Sequence, residues 1–220
     1  MTQDGMGEDF NQLLDRLIEQ RRTVRSFTDQ VPSREDIEKI IRAGLWGPYA
    51  APAVAGIRVF RRFFVLQRGG ASMDALTDIA LRTMRATVER LKSLCESDTA
   101  IAEKAGLFVQ RMQMMTEAGN VALREAPYYI VIAEKKGIPK AEQQSLAHVL
   151  ENMWLKATAL GLGFRLISMT EQMGNDPEFC ELLGMPPGEF AYDGCTVGYA
   201  TEWPPAAPRP TYDEAVTWLY

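Results

Sequence analysis

Phe10, Leu13, Leu14, Leu17 and Ile18 recur every three or four positions and predict an amphipathic helix over residues 8 to 21. After Pro32, Ser33 reads as an N-cap with Asp36 three residues on. Ile37, Ile40, Ile41 and Leu45 then mark a second helix ending near Trp46-Gly47-Pro48. The loop from Gly47 to Gly56 is small and nearly uncharged. Residues 59 to 66 are rich in β-branched and aromatic types and predict a strand, which Gly69-Gly70 breaks. From Ala71 to Glu117 the pattern is helical but less regular, with methionines clustered at Met112, Met114 and Met115. A second strand follows Pro127, over residues 128 to 133.

The longest clean apolar pattern covers residues 140 to 160. Leu146, Val149, Leu150, Met153, Ala157 and Leu160 share one face, while Ala147, Trp154, Leu155 and Ala159 carry apolar groups elsewhere. A helix apolar nearly all round is predicted to be buried on several sides, at the centre of the domain or at a subunit interface. His148 within it reads as a satisfied core residue. Gly161 stops the helix. A third strand is predicted over 163 to 168, a short helix over 176 to 183 and a fourth strand over 194 to 199. Pro204, Pro205, Pro208 and Pro210 predict an extended tail, with the cation Arg209 inside it. Long helices grouped apart from few strands indicate an α+β fold rather than a βαβ alternation. No linker divides residues 1–220, so a single domain is expected.

Composition narrows the function. With 46% apolar and 24% charged residues the chain can bury an ordinary core. A net charge of −5 without a long basic run argues against a nucleic-acid surface. No apolar run approaches the roughly 20 residues that span a bilayer, so no membrane partner is expected. The polar, acidic start is unlike a secretory leader. Cys95, Cys180 and Cys195 form neither a paired framework nor a CxxC site, which fits a reducing cytoplasm.

Several chemistries lack material. The chain has no GxxxxGK[ST] loop, no GxSxG elbow and no HExxH, and His148 is its one histidine, so neither a triad nor a histidine metal site is expected. An enzyme without these groups takes its difficult chemistry from a cofactor. The stretch Arg21-Arg22-Thr23-Val24-Arg25-Ser26-Phe27 places three guanidiniums in five residues where a helix ends and extended chain begins. Alternation along extended chain lets Arg21, Thr23 and Arg25 share a face. Such a fork of donors suits a phosphate, and it equally suits a solvated basic turn.

The order of these features resembles the nitroreductase family of flavoproteins, which opens with Arg-Arg-Ser-(Ile/Val)-Arg-x-Phe. The run from Asn152 to Gly163, ending Gly161-Leu162-Gly163, is similar to the family's central helix and its Gly-Leu-Gly turn. Val197-Gly198-Tyr199 and the later Arg209-Pro210 resemble its ending, so the likeness extends from about residue 10 to 210. It implies a small, mostly antiparallel sheet flanked by long helices, in a homodimer with flavin sites at the interface. It also implies FMN as cofactor, NAD(P)H as reductant and a small flat electron acceptor such as a nitroaromatic or quinone. Arg21, Arg22, Thr23 and Arg25 would hold the phosphate and ribityl chain, and Arg209 would complete the phosphate site. Ser168 and Met169 would lie beside the isoalloxazine. Pro48, Tyr49 and Ala50 would reach it from the partner subunit, and Asn120 is the candidate for an asparagine near the flavin pyrimidine. No side chain is assigned as catalytic, since the flavin carries the chemistry. The methionine-rich segment 105 to 117 is a candidate for the acceptor side.

The chain also departs from the family pattern. Tyr49 stands where the family loop has serine, neither Asn nor Gln occurs between residues 47 and 59, and Ala207 replaces a cationic residue two before Arg209. These departures leave open a specialised relative, for reductive dehalogenation or flavin cleavage, and a non-catalytic FMN-binding protein.

Overall fold

The computed structural model describes residues 8–49, 59–119 and 122–220. Its frame is a four-stranded sheet of β1 (Arg61–Gln67), β2 (Tyr128–Lys135), β3 (Gly163–Leu166) and β4 (Phe190–Gly198), in the order β1-β2-β4-β3. All three pairings are antiparallel. The two central strands are buried almost end to end, because helices cover both faces of the sheet.

Alternation along the strands sorts their side chains into two cores. On one face Leu66, Tyr129, Val131, Ala133 and Tyr192 pack with Met73, Leu76, Ala80 and Met84 of α3 (Ala71–Ser97). On the other, Ile130, Ile132, Phe164, Cys195 and Val197 pack with Ile37 and Ile40 of α2 (Arg34–Leu45). The same core takes Leu146, Val149, Leu150, Met153 and Ala157 of α5 (Glu142–Ala159). Ser33 caps α2 as its sequence predicts, accepting from Asp36 N–H.

The long helical stretch divides at Asp98, whose carboxylate accepts from Ala100 and Ile101 N–H and so starts a separate α4 (Thr99–Glu117). A 3-10 turn at Ala122–Glu125 leads into β2. Two short helices, α6 (Thr170–Met173) and α7 (Pro177–Leu182), join β3 to β4. β4 begins at Phe190, four residues before the expected start, because the segment from Phe190 pairs with the far end of β2 at Lys135.

Three expectations change. Within one chain the central helix α5 buries one stripe, which leaves the subunit-interface alternative standing, and His148, expected as a core residue, is exposed beside Ala147 on the opposite side. The apolar face of α1 (Glu8–Gln20) is likewise open within one chain, with Phe10, Leu13, Leu14 and Ile18 all exposed. The tail is extended only as far as Thr211. There a reciprocal Thr211–Glu214 capping box closes the single helical turn α8 (Tyr212–Ala215).

The fold ties the arginine stretch to β3. After α1 the chain runs beside that strand. Val24 N–H donates to Phe164 C=O at 3.0 Å, and Thr23 bridges Phe164 in parallel. Further on, Thr28 N–H donates to Tyr199 C=O at 2.8 Å and Thr201 N–H to Ser26 C=O at 3.2 Å, which draws in the start of the tail. Two glycines make this approach possible. Gly161, at φ +70, follows α5 in a left-handed turn in which Leu162 N–H reaches back to Ala157 C=O and Gly161 N–H to Thr158 C=O. At Gly163 a Cβ would sit 2.8 Å from Val24 Cγ1, so the absence of a side chain lets Val24 seat.

Candidate active site

Where α1, the arginine stretch and the tail meet, they enclose a cavity of about 780 Å³. Arg21, Arg22, Thr23, Arg25 and Arg209 all line it, together with Ile18, Glu19 and the tail run Pro204, Pro205, Ala206 and Ala207. Residues nearly two hundred positions apart thus present four guanidiniums and one hydroxyl to one space, against the single carboxylate of Glu19. Strict alternation does not govern here. The stretch touches the sheet only at isolated bridges, so Arg22 faces the cavity as well as Arg21 and Arg25.

Each arginine is held differently. The guanidinium of Arg21 lies 4.2 Å from the centre of the Trp154 ring, which stacks on Phe164 with centroids 5.1 Å apart. Its Nε is 3.0 Å from Glu151 Oε1, but the N–H is not aimed at that oxygen, so the contact is an ion pair without a hydrogen bond. Trp154 Nε1–H donates to Arg22 C=O at 3.1 Å and fixes the platform. Arg22 turns one nitrogen back to the carbonyls of Glu19 and Arg21, closing the end of α1. Arg25 and Arg209 are exposed. A smaller cavity of about 400 Å³, lined by Gln20, Thr158, Gly161 and Trp203, adjoins the first through Arg22 and Pro204. Neither Trp154 nor Glu151 was singled out by the sequence. Their spacing on α5 places both beside Leu150 and Met153, but only the fold shows that Arg21 lies against them.

The other candidates stand elsewhere in the chain. Ser168 and Met169 follow β3 in the turn before α6, with Ser168 exposed and Met169 partly buried against the first core. From the Phe164 bridge to Ser168 is four residues, about 13 Å of extended chain. Pro48 and Tyr49 lie at the opposite end of the sheet. There Pro48 C=O accepts from Arg61 Nη2 at 3.3 Å, and the Tyr49 hydroxyl donates to Lys135 C=O at 3.1 Å. Ala50 and Asn120 fall outside the described residues.

That corner has its own polar centre. Arg61 and Glu134, partners in the β1–β2 register, form a 2.7 Å ion pair with side chains 3% and 0% exposed. The remaining guanidinium donors reach Gly44 C=O at 3.2 Å and Gly47 C=O at 2.9 Å. Burial pushes the Glu134 carboxyl up, with Arg61 opposing. Asp193 on β4 also stands out. Burial raises its pKa to about 7, the Gly194 N–H lowers it and the Glu171 charge raises it. Among the described residues no helix is long and apolar enough to cross a membrane.

The layered α+β architecture carries, between its N-terminal stretch and its tail, a cationic cavity whose donors suit a phosphorylated ligand. More narrowly, the chain belongs to the nitroreductase family, whose pattern matches residues 18–199. It has the nitroreductase-like fold, and solved structures sharing it are distant in sequence. A nitroreductase with bound FMN from Bacteroides fragilis superimposes with a TM-score of 0.65 at 20% identity, covering 94% of this chain and 98% of that one. Another with bound FMN, from Desulfitobacterium hafniense, gives 0.65 at 19% over 94% and 98%. An iodotyrosine deiodinase bound to FMN and 3-iodo-L-tyrosine gives 0.61 at 20% over 94% and 98%. No curated protein matches the chain.

Proposed function

We propose that this protein is an FMN-dependent oxidoreductase that takes electrons from NAD(P)H and passes them to a small flat acceptor. The observation that carries this reading is the convergence of Arg21, Arg22, Thr23, Arg25 and Arg209 on one cavity of about 780 Å³. The donor set fits the cofactor. Guanidiniums give charge-assisted, often bidentate hydrogen bonds to phosphate oxygens, and a hydroxyl adds a neutral donor. Bound there, FMN supplies the hydride chemistry. The protein's part is to hold and orient. Trp154 and Glu151 keep Arg21 in place, the Ser26–Thr201 hydroxyl contact at 2.7 Å pins the tail, and the tail presents Arg209.

A homodimer belongs to this proposal. The exposed apolar stripe of α1 is too continuous for an ordinary surface, and a second copy would cover it. Pro48 and Tyr49 stand apart from the cavity of their own chain, which is consistent with their serving the partner's site. A cytoplasmic location completes the reading. The deiodinase among the structural relatives, together with Tyr49 in the family's serine position, supports a specialised substrate as the second reading.

The test is direct. The purified protein should show flavin absorbance after loading with FMN, and anaerobic NADH or NADPH should bleach it. A colourless protein that refuses FMN refutes the proposal. A yellow protein whose flavin neither nicotinamide reduces leaves a flavin binder and removes the enzyme.

A further inference from the structure

A mononucleotide held by its phosphate among the arginines leaves the smaller cavity beside them unexplained. That cavity holds about 400 Å³, a volume within the range of small-molecule sites. It shares Arg22 and Pro204 with the larger one, so Arg22 stands at the junction of the two. The residue is held there from both ends. Its C=O accepts from Trp154 Nε1–H at 3.1 Å, and its Nη1 donates to the carbonyls of Glu19 and Arg21. Its Nε and Nη2 make no hydrogen bond or ion pair among the described residues. A guanidinium fixed in this way, with two donors to spare, is placed to take an oxyanion.

The remaining walls suit a flat ring with a polar edge. Trp203 precedes Pro204 in the tail, is 47% exposed and pairs with no other ring among the described residues. A half-open indole beside a cavity offers a stacking face. Gly161, at φ +70, contributes wall without a side chain, and a Cβ there would meet no atom within 4 Å. The Thr158 hydroxyl donates to Trp154 C=O at 2.9 Å, which leaves its oxygen free to accept. Gln20, exposed at the end of α1, brings an amide that both donates and accepts. One small space thus combines a ring face, a hydrogen-bonding edge and a phosphate donor, and an adenylate has the matching three parts.

We propose that the second cavity takes the adenylate half of a flavin dinucleotide, so that this protein binds FAD more tightly than FMN. The flavin's own phosphate belongs to Arg21, Arg25 and Arg209, the phosphate joined to it belongs to Arg22, and the adenine stacks on Trp203. The inference rests on the flavin reading above and extends it to a second nucleotide. It also gives the tail two points of contact with the ligand, Trp203 and Arg209, where FMN alone would have one.

The experiment compares the two flavins on one protein. The purified chain, dialysed free of flavin, is titrated with FAD and with FMN by equilibrium dialysis. The wild type should bind FAD at least about tenfold more tightly, the worth of one base stacked on an aromatic side chain. Trp203→Leu should erase that preference. It should leave FMN affinity unchanged, because Trp203 does not line the larger cavity, and a change at so exposed a position spares the fold. Gln20→Ala should weaken FAD alone. AMP is titrated separately into FMN-loaded protein. FMN binding without an FAD advantage overturns the proposal and leaves the flavin reading intact. So does a folded Trp203→Leu variant that keeps the preference. AMP that binds the FMN-loaded protein while FAD gains nothing assigns the cavity to a separate nucleotide, which also overturns it. A protein that takes up neither flavin refutes this inference and the flavin reading together.

Discussion

Replacing Arg61 by methionine would remove the guanidinium from a place where water cannot substitute for it. The ion pair to Glu134 is 2.7 Å long between side chains 3% and 0% exposed, so solvent screening offers no discount. Breaking a buried pair by deleting one partner costs roughly 3–5 kcal/mol, because the surviving charge is left uncompensated. The carbonyls of Gly44, Gly47 and Pro48 lose their donors as well. The methionine's apolar volume returns part of this, and we expect a net loss of about 4 kcal/mol at pH 8. The pH dependence is a stricter check. Burial already raises the Glu134 pKa, Arg61 is the strongest influence that lowers it, and without Arg61 it rises further. A carboxyl whose folded pKa exceeds its unfolded one costs stability above the folded pKa and is relieved as pH falls below it. The variant's loss should therefore be smaller at pH 5 than at pH 8. Urea unfolding at the two pH values, followed by tryptophan fluorescence, measures both quantities. The double variant Arg61→Met with Glu134→Leu should recover most of the loss, since a buried pair exchanged for apolar residues is close to neutral. A loss below about 1 kcal/mol at pH 8, or a double variant no more stable than the single one, would refute the reasoning.

Other outcomes follow from the same geometry. Asp193→Asn should stabilise the protein at pH 8 and hardly at all near pH 4. The raised carboxyl pKa of about 7 costs the folded state progressively as pH climbs from the unfolded value to that point, by up to about 4 kcal/mol. Thermal melts across that range read the gain, and a gain independent of pH contradicts the assignment. Gly163→Ala should destabilise by about 1–3 kcal/mol, because its Cβ must displace the fully buried Val24. A melting temperature unchanged by that substitution would show that Val24 yields freely. Arg21→Ala with Arg25→Ala should leave a folded protein that loses FMN on dialysis, and full flavin occupancy afterwards would remove the phosphate assignment.

Much of the architecture was legible because the signals were local. The stripe of α2 with its Ser33 cap, the glycine stop at 161 and the apolar runs of β1 and β2 each follow from short-range periodicity or from one residue's backbone freedom. The misreadings arise where burial is decided by what lies across from an element. His148 sits in a helix with apolar residues all round, yet the sheet covers only the stripe through Leu146, Val149 and Met153. Asp98 ends α3 by capping α4, a competition that a blurred helical pattern conceals. The arginines were legible as a group, and their convergence with Arg209 needed the tail's course. Arg61 and Glu134 carried no signal as a pair, and Trp154 read only as one more apolar residue of its helix. Each looks like an ordinary strand or helix residue until its cross-strand or cross-helix partner is known.

Contacts between distant parts of the chain also assemble the site. The cavity closes only when Thr28 and Ser26 meet Tyr199 and Thr201, residues that directly follow β4. β4 in turn is placed by its long pairing with β2. The arginine stretch therefore depends for its shape on contacts spanning nearly the whole chain, and such contacts form only after costly loop closures. The Arg61 corner stands at the other end of the same sheet and shares β2 with it. A lesion there should weaken ligand retention by lowering the stability of the whole fold, whereas a lesion at Arg25 or Arg209 should weaken it with stability unchanged. Measuring unfolding and FMN occupancy on the same variants separates the two, and an Arg209→Ala protein that lost stability in proportion to its flavin would show that the tail arginine supports the fold rather than the ligand.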